Sequence, residues 1–359
     1  MNRWILAFLV FCFLHASATI APEAHATTGE LESRYWLEDP LRVQTTFGVP
    51  QHLFSLSSGP DSDKSRNLDY APPQATDLTL AVGYGPFQFS WKQPLPQGDG
   101  SKRDYGKRSY DDFRFEWARE RTAVSLYYQT FSGFYTDLNG NLGNFARINS
   151  GSGASDAPAT TPGTTALSLP QDILKRPDIE TRHMGSIAWY AIPLVGENAQ
   201  AFQLSVSSAG ARPRPGFDLD FVSNLFYDQA RIRGAVPFVP EKRALLFDKG
   251  GRLQAVETHS AGLGIGLASS YVLPGSLFSF DFAFLYGGGA QRQHAIYSED
   301  QRWKTVYVDN VNLRTGVGFQ SGKHQAGLHF WTNSVGSRVD DVHLTSSNMA
   351  VELGYGITI

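Results

Sequence analysis

The chain has 359 residues, a formal net charge of -3 and an isoelectric point near 6.3, which leaves no basic footprint and excludes nucleic acid as a partner. Its only cysteine is Cys12, so a chain processed beyond that point has no internal disulfide and no thiolate metal site. The balance of 24 Phe, 15 Tyr and 35 Gly against 3 Met favours strands and aromatic contact surfaces over amphipathic helices.

Asn2 and Arg3 lead into an apolar run from Trp4 to Leu14, followed by small residues and the triplet Ala24, His25, Ala26. This layout predicts a secretory signal peptide over residues 1–26, with Ala18 as the alternative cleavage site. The run is too short to cross a bilayer as a helix, which takes roughly 20 apolar residues, and no later segment reaches that length. Cys12 lies inside the apolar run behind bulky Phe11, which argues against a lipoprotein signal. Residues 27–40 read as a periplasmic N-terminal segment and 41–359 as the main domain.

From Leu41 onward the dominant signal has period two, in segments of about ten residues, the length a tilted strand needs to cross a hydrocarbon layer. A first strand is expected within Leu41 to Ser57. Leu78, Leu80, Val82 and Tyr84 alternate with Thr79, Ala81 and Gly83; after a turn at Pro86, Phe87, Phe89 and Trp91 alternate with Gln88, Ser90 and Lys92. Phe113, Phe115 and Trp117 alternate with Arg114 and Glu116, and Val124, Leu126 and Tyr128 with Ser125, Tyr127 and Gln129. The pattern is also expected at Phe202, Leu204 and Val206. It returns at Phe278 to Tyr286 around Ser279, Asp281 and Ala283, and at Leu313, Val317 and Phe319 around Arg314, Gly316 and Gly318. The last segment alternates Val351, Leu353, Tyr355, Ile357 and Ile359 with Glu352, Gly354, Gly356 and Thr358.

Such a terminal strand is what barrel-assembly machinery reads in outer-membrane barrels, so that machinery and outer-membrane lipids are the expected partners. The mean hydropathy of -0.26 fits, because lipid-facing apolar and lumen-facing polar residues average out. The sequence therefore predicts an all-β protein, an antiparallel transmembrane barrel of about 12 strands in the outer membrane of a Gram-negative bacterium. Short turns are expected near 84–86, 119–121, 194–198, 271–276 and 320–323. Long loops are expected at 59–76, 94–110, 131–183, 209–258, 288–305 and 334–348, with the Arg- and Pro-rich segment Gly210 to Lys249 expected to form strands that project above the membrane. That asymmetry puts the turns in the periplasm and the loops outside. The Gly, Ser, Ala, Thr and Pro-rich tract 149–168 reads as a flexible external segment.

Two runs carry a family resemblance. Tyr127, Tyr128, Gln129, Thr130, Phe131, Ser132, Gly133, Phe134 and Tyr135, with Arg176, Pro177, Asp178, Ile179 and Arg182 downstream, resemble a bacterial family described as a domain of unknown function. Its members are similar to outer-membrane β-barrels. The resemblance implies fold and location, and supplies no catalytic residues.

On these faces Lys92, Arg114, Glu116, Asp281, Arg314, His329 and Glu352 point into the lumen. Charges of both signs in a confined space pair, as a salt-bridge plug or as a polar path. Tyr84, Trp91, Trp117, Trp189 and Tyr286 read as an aromatic girdle at the membrane surface. His183, His259, His294, His324, His329 and His343 are the candidates for a Ser-His-acid site, but no Gly-x-Ser-x-Gly elbow accompanies them. Asp340, Asp341 and His343 cluster without the spacing of a zinc motif, and Asp137, Asn139 and Gly140 start a calcium loop that lacks its later acid. No metal or cofactor is expected. A structural, binding or solute-transport barrel is the leading expectation. A lipid-modifying hydrolase or acyltransferase and a soluble periplasmic β-protein are the alternatives.

Overall fold

The computed structural model describes residues 41–58, 67–73, 76–96, 98–99, 107–119, 121–137, 173–196, 201–202, 215–274, 278–340 and 342–359. The expected signal peptide, the segment 27–40 and the tract 149–168 lie outside these residues. The described elements are β1 (Leu41–Ser58), β2 (Asn67–Tyr70), β3 (Asp77–Tyr84), β4 (Phe87–Pro94), β5 (Ser109–Arg119), β6 (Thr122–Asp137), β7 (Ile173–Val195) and β8 (Gly216–Arg233). A 3-10 helix, Glu241–Arg252, precedes β9 (Leu253–Val272), β10 (Phe278–Tyr297), β11 (Gln301–Ser321), β12 (His324–Val339) and β13 (Val342–Thr358).

All strand pairs are antiparallel, and β13 returns to β1 along a register running from Arg42 opposite Thr358 to Ser58 opposite Val342, which closes the sheet into a barrel. β3 covers the first part of β1 and β2 the last part, so the two lie end to end as one interrupted stave and the ring has twelve. β3, β4 and β5 are short. Beyond their ends Ala71 pairs directly with Tyr135, so β2 reaches from β1 to β6 and the wall narrows there.

Local chemistry explains the irregular points. The β3–β4 hairpin turns on Gly85, whose φ of 55° favours glycine, followed by Pro86. In β6 the register shifts between Ser132 and Phe134 at Gly133, with φ of 80°. The bulge adds one residue, so Phe131 and Phe134 both turn inward instead of falling on opposite faces.

Several boundaries differ from the sequence reading. The expected turn at 194–198 lies partly outside the described residues: β7 ends at Val195, and the next described strand, β8, starts at Gly216 inside the expected loop 209–258. Phe202 is helical and fully buried, not part of a strand, while Leu204 and Val206 lie outside the described residues. The expected loops 288–305 and 334–348 are strand, with β10 joined to β11 through residues 298–300 and β12 to β13 through a turn at Asp340. Arg292 and His294 in the first stretch and Ser334, Arg338, His343 and Thr345 in the second interrupt the apolar outer face, so hydropathy reads both as loop, yet their backbones pair residue by residue.

Outward positions carry a continuous apolar band. It includes Phe47, Leu80, Phe89, Phe115, Ile192, Leu225, Leu267, Phe282, Val317, Leu328 and Leu353, all exposed. The apolar packing lies inside the barrel, in two clusters near its two ends.

Candidate functional site

The cluster at the end of the barrel that holds Leu41 and Ile359 surrounds Phe202. It packs with Trp189 and Ala191 of β7, Val222 of β8, Ala268 of β9 and Leu285 of β10. Its backbone NH donates to Asp220 Oδ2 at 2.7 Å, which fixes Phe202 inside the lumen. Trp189 therefore corrects its sequence assignment to the girdle: β7 alternates so that Tyr190 and Ile192 face out and Trp189 faces in. Tyr84, Trp91, Trp117 and Tyr286 occupy outward positions.

The cluster at the opposite end is larger and is capped by the connection between β8 and β9. Phe238, Val239 and Phe247 of that connection sink among Phe54, Leu56, Leu68, Tyr70, Phe134 and Leu253. Arg176 holds the loop in place. It forms two bonds to Asp178, at 2.8 and 2.9 Å, and donates to the carbonyls of Val236, Pro237 and Phe238 at 3.0, 2.9 and 3.1 Å. Asp178 also accepts the NH of Ala235 at 2.9 Å, and the Tyr70 hydroxyl donates to the Phe238 carbonyl. The Arg-Pro-Asp run is thus a clamp on the loop.

The Tyr-Tyr-Gln to Gly-Phe-Tyr run supplies the inner wall beside it. The Tyr127 hydroxyl donates to Asp228 at 2.6 Å, and Gln129 donates to Asp112 at 2.8 Å. Phe131 stacks between Tyr110 and His52, with ring centres 4.2 Å from each.

A cavity of about 100 Å³ with both polar and apolar lining lies between the clusters. Ile187, Trp189 and Phe226 line it on one side and Ile232, Val256 and Leu344 on the other, with Arg114, Tyr127, His183, Asn312, Arg314 and Trp331 among the residues between. His183 Nε2, Asn333 Oδ1 and Ser346 Oγ, all on its wall, are buried with no hydrogen-bond partner among the described residues.

The lumen charges form a connected set. Lys92 meets Glu352 at 2.6 Å, and Arg114 meets Asp112 at 3.2 and 3.1 Å. Trp331 lies between the two cations, its ring centre 5.7 Å from the Lys92 ammonium and 5.3 Å from the Arg114 guanidinium. Arg314 stands within the field of Glu116, Glu352 and Asp281. Asp281 and His329 flank Gly316, where a Cβ would come within 2.7 Å of the carboxylate and 2.4 Å of the imidazole. Asp112 was missed from sequence although it lies two residues before Arg114 on the same face.

The histidines do not converge as a group. His183 and His329 face inward, whereas His259, His294, His324 and His343 face outward. His52, absent from the sequence candidates, stands 5.4 Å from His183 between ring centres. It contacts Asn348 through Nδ1 and the Thr181 hydroxyl through Nε2 at 3.2 Å. The hydroxyl, imidazole and amide stand in the order of a catalytic triad, but Thr181 is fully buried. The chain of bonds ties β1 to β7 and β13. Asp340 accepts from Tyr297 at 2.7 Å and from Arg302 at 3.4 Å; Asp341 lies outside the described residues.

No protein-family model and no curated protein matches the sequence. Solved structures similar to this chain include the outer-membrane protease OmpT from Escherichia coli, at 10% identity over 90% of this chain and 97% of that one, with a TM-score of 0.40. The P. putida toluene transporter TodX aligns at 7% identity over 89% and 90% of the two chains, and a Pseudomonas aeruginosa FadL homologue at 10% over 89% and 90%, both with TM-scores of 0.28. Likenesses at this level carry no activity to this chain, whose architecture rests on its own closed strand register.

Proposed function

We propose that the protein spans the outer membrane and takes one small, uncharged polar solute at a time into its lumen cavity, with the connection between β8 and β9 as the gate on the loop side. Membrane residence is supported by the apolar band, which rings the outside of the barrel and exceeds the patches that soluble monomers expose. The observation that carries the solute reading is a cavity with amide and hydroxyl side chains on its wall, held between two apolar plugs. His183 Nε2, Asn333 Oδ1 and Ser346 Oγ on its wall are hydrogen-bonding positions that a polar solute can fill.

Charge balance argues for a neutral solute. Arg114, Lys92 and Arg314 each stand against carboxylates, and Asp228 accepts from Tyr127, so the wall offers mainly amides and hydroxyls. A volume of about 100 Å³ suits a molecule of roughly six heavy atoms or fewer. Glycerol is a suitable probe. Saturation-transfer NMR on the full chain refolded in detergent should give a glycerol signal that His183→Leu abolishes, and weaker signals for acetate and methylammonium. Equal signals for all three, or an unchanged signal in the variant, would refute the reading.

A further inference from the structure

A second feature lies on the outer wall, just past the apolar band on the loop side. Arg182 of β7, Arg231 and Arg233 of β8 and Arg292 of β10 all face outward there. Arg182 is the direct cross-strand partner of Arg231, a like-charge pairing that destabilises a sheet unless something neutralises it. The carboxylates in this strip are Glu180, 3.4 Å from Arg182, and Glu257, 3.0 Å from Arg231 and 3.9 Å from His294. Four guanidinium groups therefore stand against two carboxylates, and these pairs are solvent-exposed and weak. On β11, Asp309 accepts the Tyr286 hydroxyl at 3.2 Å.

Arg292 lies over the ring of Trp303 at 4.6 Å, and His294 stacks on that ring with centres 4.1 Å apart. This stack fixes the Arg292 guanidinium near the wall, and Trp303 stays 55% exposed. Toward the band the outward residues are Leu225, Leu263, Ile265 and Tyr286. The surface is thus cationic on one side, over β7, β8 and β10, and apolar on the other, over β8, β9 and β10.

We propose that this strip binds the phosphate of a membrane lipid in the leaflet on the loop side, with the acyl chains against Leu225, Leu263 and Ile265. The phosphate neutralises the facing Arg182 and Arg231, and Arg292 closes the site from β10. A lipid is the occupant, and not free phosphate, because the cationic row follows the edge of the apolar band. The proposal rests on the membrane reading of that band and is independent of the cavity.

The test is native mass spectrometry of the full chain, refolded in detergent, with diphosphoryl lipid A and phosphatidylcholine in equal amounts. Lipid A should be retained over phosphatidylcholine. Arg182→Gln with Arg231→Gln should lower its retention by roughly 30-fold, since each guanidinium near an anionic lipid surface contributes about 5-fold. Arg182→Lys with Arg231→Lys should keep most of it. Heat-modifiable gel mobility checks that each variant is folded, and its absence in the unaltered protein would refute the membrane reading, not the phosphate site alone. Equal retention of both lipids, undiminished lipid A on the Gln variant, or full displacement by inorganic phosphate would overturn the proposal.

Discussion

Arg176 and Asp178, two residues apart on β7, form a bidentate ion pair whose guanidinium also holds three consecutive carbonyls of the β8–β9 connection. Arg176→Ala removes the guanidinium from those carbonyls and from the carboxylate, leaving only the Ala235 NH on Asp178 and the Tyr70 hydroxyl on Phe238, at a cost of roughly 3 kcal/mol. The amide of Phe238, bonded to the Leu253 carbonyl at 2.7 Å, should then exchange about a hundredfold faster, while amides of the barrel staves hold their protection. Unchanged exchange at Phe238 would show that Arg176 is not the clamp.

The β6 bulge gives a second expectation. At Gly133 a Cβ would come within 2.0 Å of the Lys107 carbonyl, and the φ of 80° strains any other residue. Gly133→Val should cost about 3 kcal/mol or more and sharply reduce the yield of heat-modifiable protein. Ser132→Val, on the outward side of the same strand, should fold normally; similar yields for both would argue against the bulge.

Leu353 is 60% exposed on the apolar band. In a membrane, Leu353→Arg costs about 2–4 kcal/mol near the midplane and should impair assembly far more than Leu353→Ala. On a water-facing surface both changes stay within about 0.5 kcal/mol. Folded yields in lipid vesicles separate the two, and equal yields would exclude lipid on that face.

The face assignments were legible because alternation survives wherever one side meets the apolar band. Val351 to Thr358 and Phe278 to Tyr286 read correctly residue by residue for that reason. β8 carries the same alternation, Phe217, Leu219, Phe221, Leu225 and Tyr227 against Asp218, Asp220, Asn224 and Asp228. Its flanking Arg and Pro residues masked it. The plugs were not legible. Phe202 meets Trp189 and Phe238 meets Phe54 only after the barrel closes, and nothing in the local pattern marks a loop phenylalanine as buried. The Lys92–Glu352 pair joins β4 to β13 across 260 positions, so periodicity gives the face of each residue but not its partner.

Topology is accessible through engineered cysteines, since the expected signal peptide takes Cys12 with it. Leu245, 95% exposed in the 3-10 helix, lies at the loop end, and Lys323 lies in the β11–β12 turn at the other. An impermeant maleimide should label Leu245→Cys on intact cells and Lys323→Cys only after the outer membrane is permeabilised. The reverse pattern would invert the barrel.

Two apolar plugs in series, one around Phe202 and one under the clamped β8–β9 connection, should keep the lumen shut to ions. Conductance across planar bilayers tests it most directly. The unaltered protein should show no steady conductance, and Phe202→Ala or Arg176→Ala alone should remain close to silent because the other plug persists. The two together should open a measurable ion current. A large, stable conductance in the unaltered protein, or full opening by either single substitution, would contradict the account.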